Sequence, residues 1–318
     1  MRLRTPHALS AERDMIHLII DTDFQMDVDD AGALAVAHAL ADDGVVSIRA
    51  VMLNTPSRWG APALDIVNRA CGRRLPIGTL PHSDESVPEP EYARSVVERF
   101  GEEPGAPVED AVGLYRRLLS EAEPGSLTIV SIGFFDNLIA LLDSAPDTHS
   151  SLSGADLVRS AVGRTLVMGG VFPEGREFNF VGDVALTRRL LMEWPLPIEF
   201  VGFETAAGMI TGADLTRDRG SDDPVAHAYA VYNRGESGRD SWDPLTVFVA
   251  AHPGRFGWSH SGSVTIEQDG VNRFSADSEG SHRTLILPDA DGAGVAAEID
   301  GLLRRPNGSA RVRYRGAS

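Results

Sequence analysis

HLIIDTDFQMDVDDAGAL, residues 17–34, decides the reading of this chain. Residues 17–20 form a short apolar run that reads as a buried strand ending at Asp21. Residues 31–41 (AGALAVAHALA) follow as a helix of small and apolar side chains. Between them stand Asp21, Asp23, Asp27, Asp29 and Asp30, five carboxylates within ten residues. Like charges crowded on a strand-to-helix turn repel unless something positive sits among them. A helix N-terminus offsets part of this, and Asp29 or Asp30 suits a cap. A divalent cation offsets the rest, and hard carboxylate oxygens with no cysteine beside them favour Ca²⁺ or Mg²⁺ over zinc. An EF-hand is excluded, because the central Gly and terminal Glu are missing and a strand precedes the motif.

Further strands are expected at residues 47–53, 75–78, 127–132, 165–168 and 198–202. Helices are expected at 61–71, 108–122, 137–143 and 183–192, with a turn at 133–136. Strands that alternate with helices imply βαβ units, hence a central, mostly parallel sheet flanked by helices on both faces. Ligands of such α/β sheets bind beyond the carboxyl ends of the strands, which is where the aspartates fall. From about residue 244 a helix (LTVFVAAH) leads into a stretch, 263–287, suited to a β-hairpin. Residues 81–107, rich in Pro, Glu and Gly, read as a surface excursion, and 304–318 as a tail or edge strand. No repeat or linker divides the chain, so 1–318 is read as one α/β domain, with 1–15 and 305–318 as tails.

Composition narrows the function. A net charge of -17 argues against a phosphate-backbone footprint, so a nucleic acid polymer is not an expected partner. No apolar run approaches a membrane span, and residues 1–15 lack a signal core, so a cytoplasmic protein is expected. Cys71 is the one cysteine, which rules out disulfides and a thiolate metal cage. There is no lysine; all 29 basic residues are arginine. Walker-type phosphate loops, Schiff-base chemistry and lysine nucleophiles are thereby excluded.

The strand, Asp-x-Asp, loop and Asp-Asp-Ala helix start resemble the inosine-uridine type nucleoside hydrolases, in the variant with the longer Asp-Thr-Asp-x-x-x-Asp-Val-Asp-Asp loop. Further segments resemble the family in its own order over roughly residues 16–290: Asn54 after the second strand, Gly133 to Asn137, Met168-Gly-Gly with Glu177-Phe-Asn179, and Trp242-Asp243-Pro244. The resemblance implies a nucleoside hydrolase-like fold and hydrolysis of an N-glycosidic bond in a small-molecule nucleoside. It implies Ca²⁺ held by Asp23, Asp30, Asp243 and the backbone carbonyl of Asp136, with Asp23 also the general base. Asp29, Asn54, Glu177 and Asn179 would bind the sugar hydroxyls, and Asp21 would orient its neighbours. A homodimer or homotetramer is implied as well.

Two departures bear on the substrate. Trp242 stands where many members have a histidine; indole stacks against a heterocycle but donates no catalytic proton. Either help for the leaving group comes from elsewhere, with His227, Tyr229, Tyr232, Arg234 and Arg239 as the nearby candidates, or the natural leaving group needs little help. The loop 171–176 is short and lacks an asparagine that members commonly place there. Asp27, in the longer loop, reads as exposed and structural. Two rival readings are a nucleoside-binding member without turnover and a haloacid dehalogenase-like phosphatase, the latter weakened by the missing lysine.

Overall fold

Alternating side chains along the first strand divide the protein into layers. In β1 (Ile16–Thr22), Leu18 and Ile20 enter one hydrophobic cluster and Ile19 the other. In β5 (Leu127–Ile132), Val130 and Ile132 join the first cluster while Leu127 and Ile129 join the second. A sheet that buries both faces needs helices on both, and it has them. Helices Asp29–Asp42, Gly60–Ala70, Glu91–Phe100, Pro224–Tyr232, Trp242–Ala251 and Asp289–Leu303 cover one side. Helices Ala111–Glu121, Asp136–Leu142, Gly154–Ala161 and Val184–Glu193 cover the other. The computed structural model describes residues 15–81, 91–101, 107–235 and 237–306.

The remaining strands are β2 (Val46–Leu53), β3 (Ile77–Thr79), β4 (Val108–Asp110), β6 (Val162–Met168), β7 (Glu174–Gly175), β8 (Glu199–Val201), β9 (Ile210–Ala213), β10 (Ser237–Asp240), β11 (Gly257–Trp258), β12 (Gly262–Ile266), β13 (Asn272–Ala276) and β14 (Arg283–Ile286). Nine of the fourteen described strands, β1 and β5 included, form the central sheet in the order β11-β14-β8-β6-β5-β1-β2-β3-β4. All its pairings are parallel except β11 with β14. The chain runs from β1 outward through β2, β3 and β4, then returns to pair β5 on the opposite side of β1. The order therefore reverses between β1 and β5, and the crevice beyond their carboxyl ends is the expected binding place. This single α/β domain has the architecture anticipated from the alternating elements.

Several local expectations change. Residues 108–110 form the edge strand β4 against β3, so the helix expected at 108–122 is Ala111–Glu121. The excursion 81–107 contains the helix Glu91–Phe100, whose Tyr92, Ala93 and Val96 are buried. Its apolar residues recur at helical spacing, which the surrounding Pro and Glu obscure in the sequence. Within 263–287, β12 and β13 pair as a hairpin, whereas β14 leaves it to join the main sheet beside β8. The helix Asp289–Leu303 was not anticipated, since Gly and Asp interrupt its pattern. Residues 1–14 and 307–318, most of the expected tails, lie outside the described residues. Among those described, no helix is long and apolar enough to cross a membrane.

Candidate active site

The ends of β1 and β5 approach closely because Gly133 follows β5. A Cβ there would lie 2.4 Å from the Asp23 nitrogen and 3.0 Å from Asn54 Oδ1, so any side chain would wedge the strand ends apart. Asp21, the residue before the last in β1, faces the second helical layer and is fully buried. Tyr115 Oη donates to its Oδ2 at 2.6 Å; Asn54 Nδ2 and Asn137 Nδ2 donate to its Oδ1 at 2.7 and 3.0 Å. Burial still pushes its carboxyl up to about 7 against those hydrogen bonds. Asp21 thus ties β1, β2 and the helix Asp136–Leu142 together behind the site.

Helices Asp29–Asp42 and Trp242–Ala251 pack side by side and deliver their N-termini to the same place. Asp29, Asp30 and Asp243 each offer an oxygen within 4.8 Å of the others, and all three are buried. The backbone N–H of Asp243 donates to Asp29 Oδ2 at 3.1 Å, tying one helix start to the other. Thr22 Oγ1 donates to Asp30 Oδ1, while Asp30 Oδ2 is buried with no protein donor among the described residues. The carboxyls of Asp29, Asp30 and Asp243 are driven well above the usual range, by burial first and by their neighbours' charges second. Asp23 adjoins them, with its carboxyl pushed up to about 8 by burial and then by Glu177 and Asp27. Two helix N-termini favour negative charge but supply only about +0.5 elementary charge each. Four buried carboxylates therefore call for protons or a cation, and oxygen donors of this kind can hold a metal.

Beside the cluster opens a pocket of about 320 Å³. Asp23, Asp29, Asp243, Glu177 and Asn179 line it, with Met26, Ile132 and Met168 as apolar surface and Phe178, Phe203, Tyr232 and Trp242 as aromatic surface. Glu177 accepts from the backbone N–H groups of Gly170, Asn179 and Phe180 at 3.1, 2.8 and 3.1 Å, capping the turn Phe178–Gly182. Burial nonetheless raises its carboxyl above the ordinary value. Asn179 Nδ2 donates to the Met168 carbonyl at 3.2 Å. Trp242 stacks on Phe203, with ring centroids 5.0 Å apart and planes 23° from parallel, and its Nε1 donates to the Phe203 carbonyl at 2.9 Å.

Other expected site residues fall elsewhere. Asn54 is spent on structure: besides binding Asp21, its Oδ1 accepts from the Phe134 N–H at 3.2 Å, and it does not line the pocket. Asp29, expected to hold the sugar, belongs with Asp30 and Asp243, whereas Asp23 stands beside that trio. Asp136 starts its helix half-buried and outside the trio. His227 is turned away from the pocket, against Ser95 Oγ at 2.8 Å and edge-on to Phe100 at 5.4 Å. It lies five positions from Tyr232, about 140° round the helix. Tyr229 is buried behind the aspartates, its hydroxyl without a hydrogen-bond partner among the described residues. Gly32 makes room for it, since a Cβ there would come within 2.3 Å of that hydroxyl. Tyr232 does line the pocket, its phenol pushed up to about 12 by burial and then by Asp27.

Three pocket features were missed from sequence. Asp27 is not a free surface carboxylate but pairs with Arg239, 212 positions away, at 2.5 Å. Phe178 and Phe203, 54% and 41% exposed, frame the pocket mouth. Phe178 sits inside the Glu-Phe-Asn segment and Phe203 two residues past β8, so strand-end position was the available signal.

The sequence matches the family described as inosine-uridine preferring nucleoside hydrolase over residues 18–299. No curated protein matches it. Among solved structures, the fold is similar to a purine-preferring ribonucleoside hydrolase from Gardnerella vaginalis, with TM-score 0.64, 16% identity, and 91% of this chain and 99% of that one covered. It is similar to an inosine-uridine preferring nucleoside hydrolase from Bacillus anthracis, with TM-score 0.63, 14% identity and 91% and 100% coverage. It is also similar to the type III effector protein XopQ complexed with adenosine diphosphate ribose, with TM-score 0.67, 17% identity and 95% and 99% coverage. At these identities the structures attest the shared architecture, and the family match spanning β1 to the last helix does the rest: this chain belongs to the inosine-uridine preferring nucleoside hydrolase family.

Proposed function

We propose that this protein is a nucleoside N-ribohydrolase that uses Ca²⁺ to cleave the N-glycosidic bond of a ribonucleoside or related N-riboside. The observation that carries the reading is the trio Asp29, Asp30 and Asp243, buried at the strand switch point beside a pocket with polar and aromatic walls. The donors fit a hard cation: all are carboxylate oxygens, and Asp30 Oδ2 is buried with no protein donor among the described residues. Asp29, Asp30, Asp243 and Asp23 would hold it, with the Asp136 carbonyl as the further ligand that the family suggests. A divalent cation so bound lowers the pKa of water and offsets the repulsion among the carboxylates.

The chain's own groups account for the remaining requirements. Asp23 is the general base: it takes the proton of the water that attacks C1′, while the bond from C1′ to the base nitrogen breaks. Such assistance is worth roughly 10²–10⁴-fold. Glu177 and Asn179 are the ribose contacts, held in place by the Gly170, Asn179 and Phe180 amides and by the Met168 carbonyl. A buried polar pair of this kind discriminates strongly against a sugar that lacks the matching hydroxyl. Trp242 and Phe203 provide a stacking surface for the base. Cytoplasmic residence and assembly as a homodimer or homotetramer belong to the same proposal.

Reducing-sugar release from a panel of ribonucleosides tests it. Release with Ca²⁺, abolition by chelator and recovery on adding Ca²⁺ back are expected. Absence of release with every nucleoside and metal tried would refute it. The lack of any histidine among the described pocket-lining residues favours a second reading, a nucleoside-binding member without turnover. Because the similar effector XopQ was solved with adenosine diphosphate ribose, that compound is a suitable calorimetric probe for it. Membership of the hydrolase family leaves the phosphatase reading without support.

A further inference from the structure

Of the described residues that line the pocket, one is a cation: Arg239, on β10, stands among Asp23, Asp27, Asp29, Asp243 and Glu177. Asp27 fixes it. Arg239 Nε donates to Asp27 Oδ1 and Oδ2 at 3.0 and 3.1 Å, and Nη2 donates to Oδ2 at 2.5 Å. Asp27 is itself placed by the buried Tyr92, whose hydroxyl donates to the Asp27 carbonyl at 2.8 Å and accepts the Gln25 N–H at 2.5 Å. The long loop between Asp23 and Asp29 is thereby pinned from outside the sheet, and its product is an arginine with one nitrogen, Nη1, outside the Asp27 clamp and paired with Asp240 only at ion-pair distance. Nη1 makes no hydrogen bond among the described residues; Asp240 lies 3.8 Å from it.

The guanidinium carbon is 5.0 Å from the Trp242 ring centroid and 5.8 Å from that of Tyr232. Trp242 is held rigid by its stack on Phe203 and its bond to the Phe203 carbonyl. A planar heterocycle entering this end of the pocket would meet the Phe203–Trp242 stack and Nη1 of Arg239 together. Stacking grips a base about equally before and during bond cleavage, so it adds little to the rate of the chemical step. A fixed cation differs, because negative charge grows on the base only as the bond breaks.

We propose that Arg239, clamped by Asp27, takes the place of a general acid, binding the base through an oxo oxygen and stabilising it as it leaves as an anion. The inference rests on the ribohydrolase reading and extends it to a substrate class: ribosides whose base carries an oxo group and departs as a stabilised anion. As the C1′–N bond breaks, its electron pair stays on the nitrogen and delocalises onto that oxygen, where the Arg239 N–H groups donate. The attacking water forms the new C1′–O bond and gives one proton to Asp23, which releases it to solvent. The freed base anion then takes a proton from solvent, so the sum is riboside plus water giving ribose plus neutral base. Arginine cannot itself donate that proton, since its pKa is too high. A base with an amino group in the same position would set donor against donor.

The test compares wild type with Arg239→Gln on uridine and on 4-nitrophenyl riboside, a leaving group stable as an anion unaided. The variant should lose on the order of 10²-fold in kcat/KM on uridine, the effect of removing one oxyanion donor. The loss on 4-nitrophenyl riboside should be about ten-fold smaller. Equal losses on the two substrates would mean a structural role and overturn the proposal, as would no loss on uridine. Calorimetry with free hypoxanthine and adenine, which differ as oxo against amino at one position, gives an answer that needs no turnover: wild type should prefer hypoxanthine, and Arg239→Gln should lose the preference. Equal binding of both bases by wild type, or a preference that survives the substitution, also overturns it. If wild type cleaves neither these two nor any other nucleoside of the panel, the ribohydrolase reading fails while calorimetry still decides the role of Arg239. Should Arg239→Gln not fold, Asp27→Asn, which loosens the same guanidinium, should show the same substrate split, and its absence would count against the proposal.

Discussion

If the aspartate cluster holds a divalent cation as proposed, removing it should make the stability of this protein strongly dependent on pH, and the structure sets the size of the effect. Without a cation, Asp23 holds its proton up to about pH 8, against an ordinary 3.8, because burial and the charges of Glu177 and Asp27 oppose ionisation. Its pKa is raised in the folded chain, so between those values the folded chain binds a proton that the unfolded chain has lost. Stability is then complete below about pH 4 and declines as pH rises toward 8, at about 1.4 kcal/mol per pH step. Between pH 5 and 8 that amounts to about 4 kcal/mol for Asp23 alone. A bound cation holds the carboxylates ionised and removes this slope. Asp21 also titrates high, near 7, but it stands outside the trio with its own three donors, so its contribution is largely common to both states. Asp29, Asp30 and Asp243 titrate high as well and add to the Asp23 slope, so the difference between Ca²⁺-loaded and chelated protein should widen by at least about 4 kcal/mol from pH 5 to pH 8. For 318 residues, at roughly 2.1 cal/mol/K of unfolding entropy each, this is a Tm gap growing by at least about 6 °C. Thermal unfolding at four pH values, with Ca²⁺ and with chelator, measures it; proton release on adding Ca²⁺ to unbuffered protein at pH 7 checks it independently. A gap that stays constant or narrows as pH rises would refute the reasoning, because the cluster would then be neutralised by the helix ends and not by exchange of protons for metal.

Two further outcomes follow from the geometry. Asp23→Asn should lower kcat at least about 10²-fold while riboside binding persists, as steady-state rates and calorimetry would show; an unchanged rate removes Asp23 from the chemistry. Gly133→Ala should cost about 1–3 kcal/mol in denaturant unfolding, because its Cβ would press on the Asp23 backbone at 2.4 Å, and should weaken Ca²⁺ binding by moving the β1 end.

The architecture was legible because each central strand declares itself locally. Residues 17–20 and 127–132 are apolar on both faces, and only a sheet covered on both sides requires that. The helix Asp29–Asp42 was equally clear, its small residues suiting burial on every side. What escaped were elements whose burial depends on distant partners. Tyr92 is an unremarkable tyrosine in a charged segment until the fold sets its hydroxyl against the Asp23–Asp29 loop. The helix Glu91–Phe100 exists to be packed against helices Gly60–Ala70 and Pro224–Tyr232, which a local reading does not contain.

The site divides along the same line. Aspartates on one turn announced themselves by mutual repulsion, a property that adjacency in sequence is enough to show. The division of labour among them depends on which helix lies beside which: Asp29 joins Asp30 because the helix Trp242–Ala251 brings Asp243 and its N–H to that carboxylate. Asn54 shows the converse, an end-of-strand asparagine in the right place whose amide is consumed in joining β2 to Asp21 and Phe134. Asp27 is the most instructive residue. Alone in a long loop it reads as surface, yet a carboxylate that reaches an arginine 212 residues away, under an indole ring, is where the loop's extra length finds its use. A shorter loop could still carry Asp23, Asp29 and Asp30; it could not carry Asp27 to Arg239. The length of that loop and the identity of residue 239 are therefore expected to matter together, so a double substitution of Asp27 and Arg239 should cost less than the sum of the two single ones.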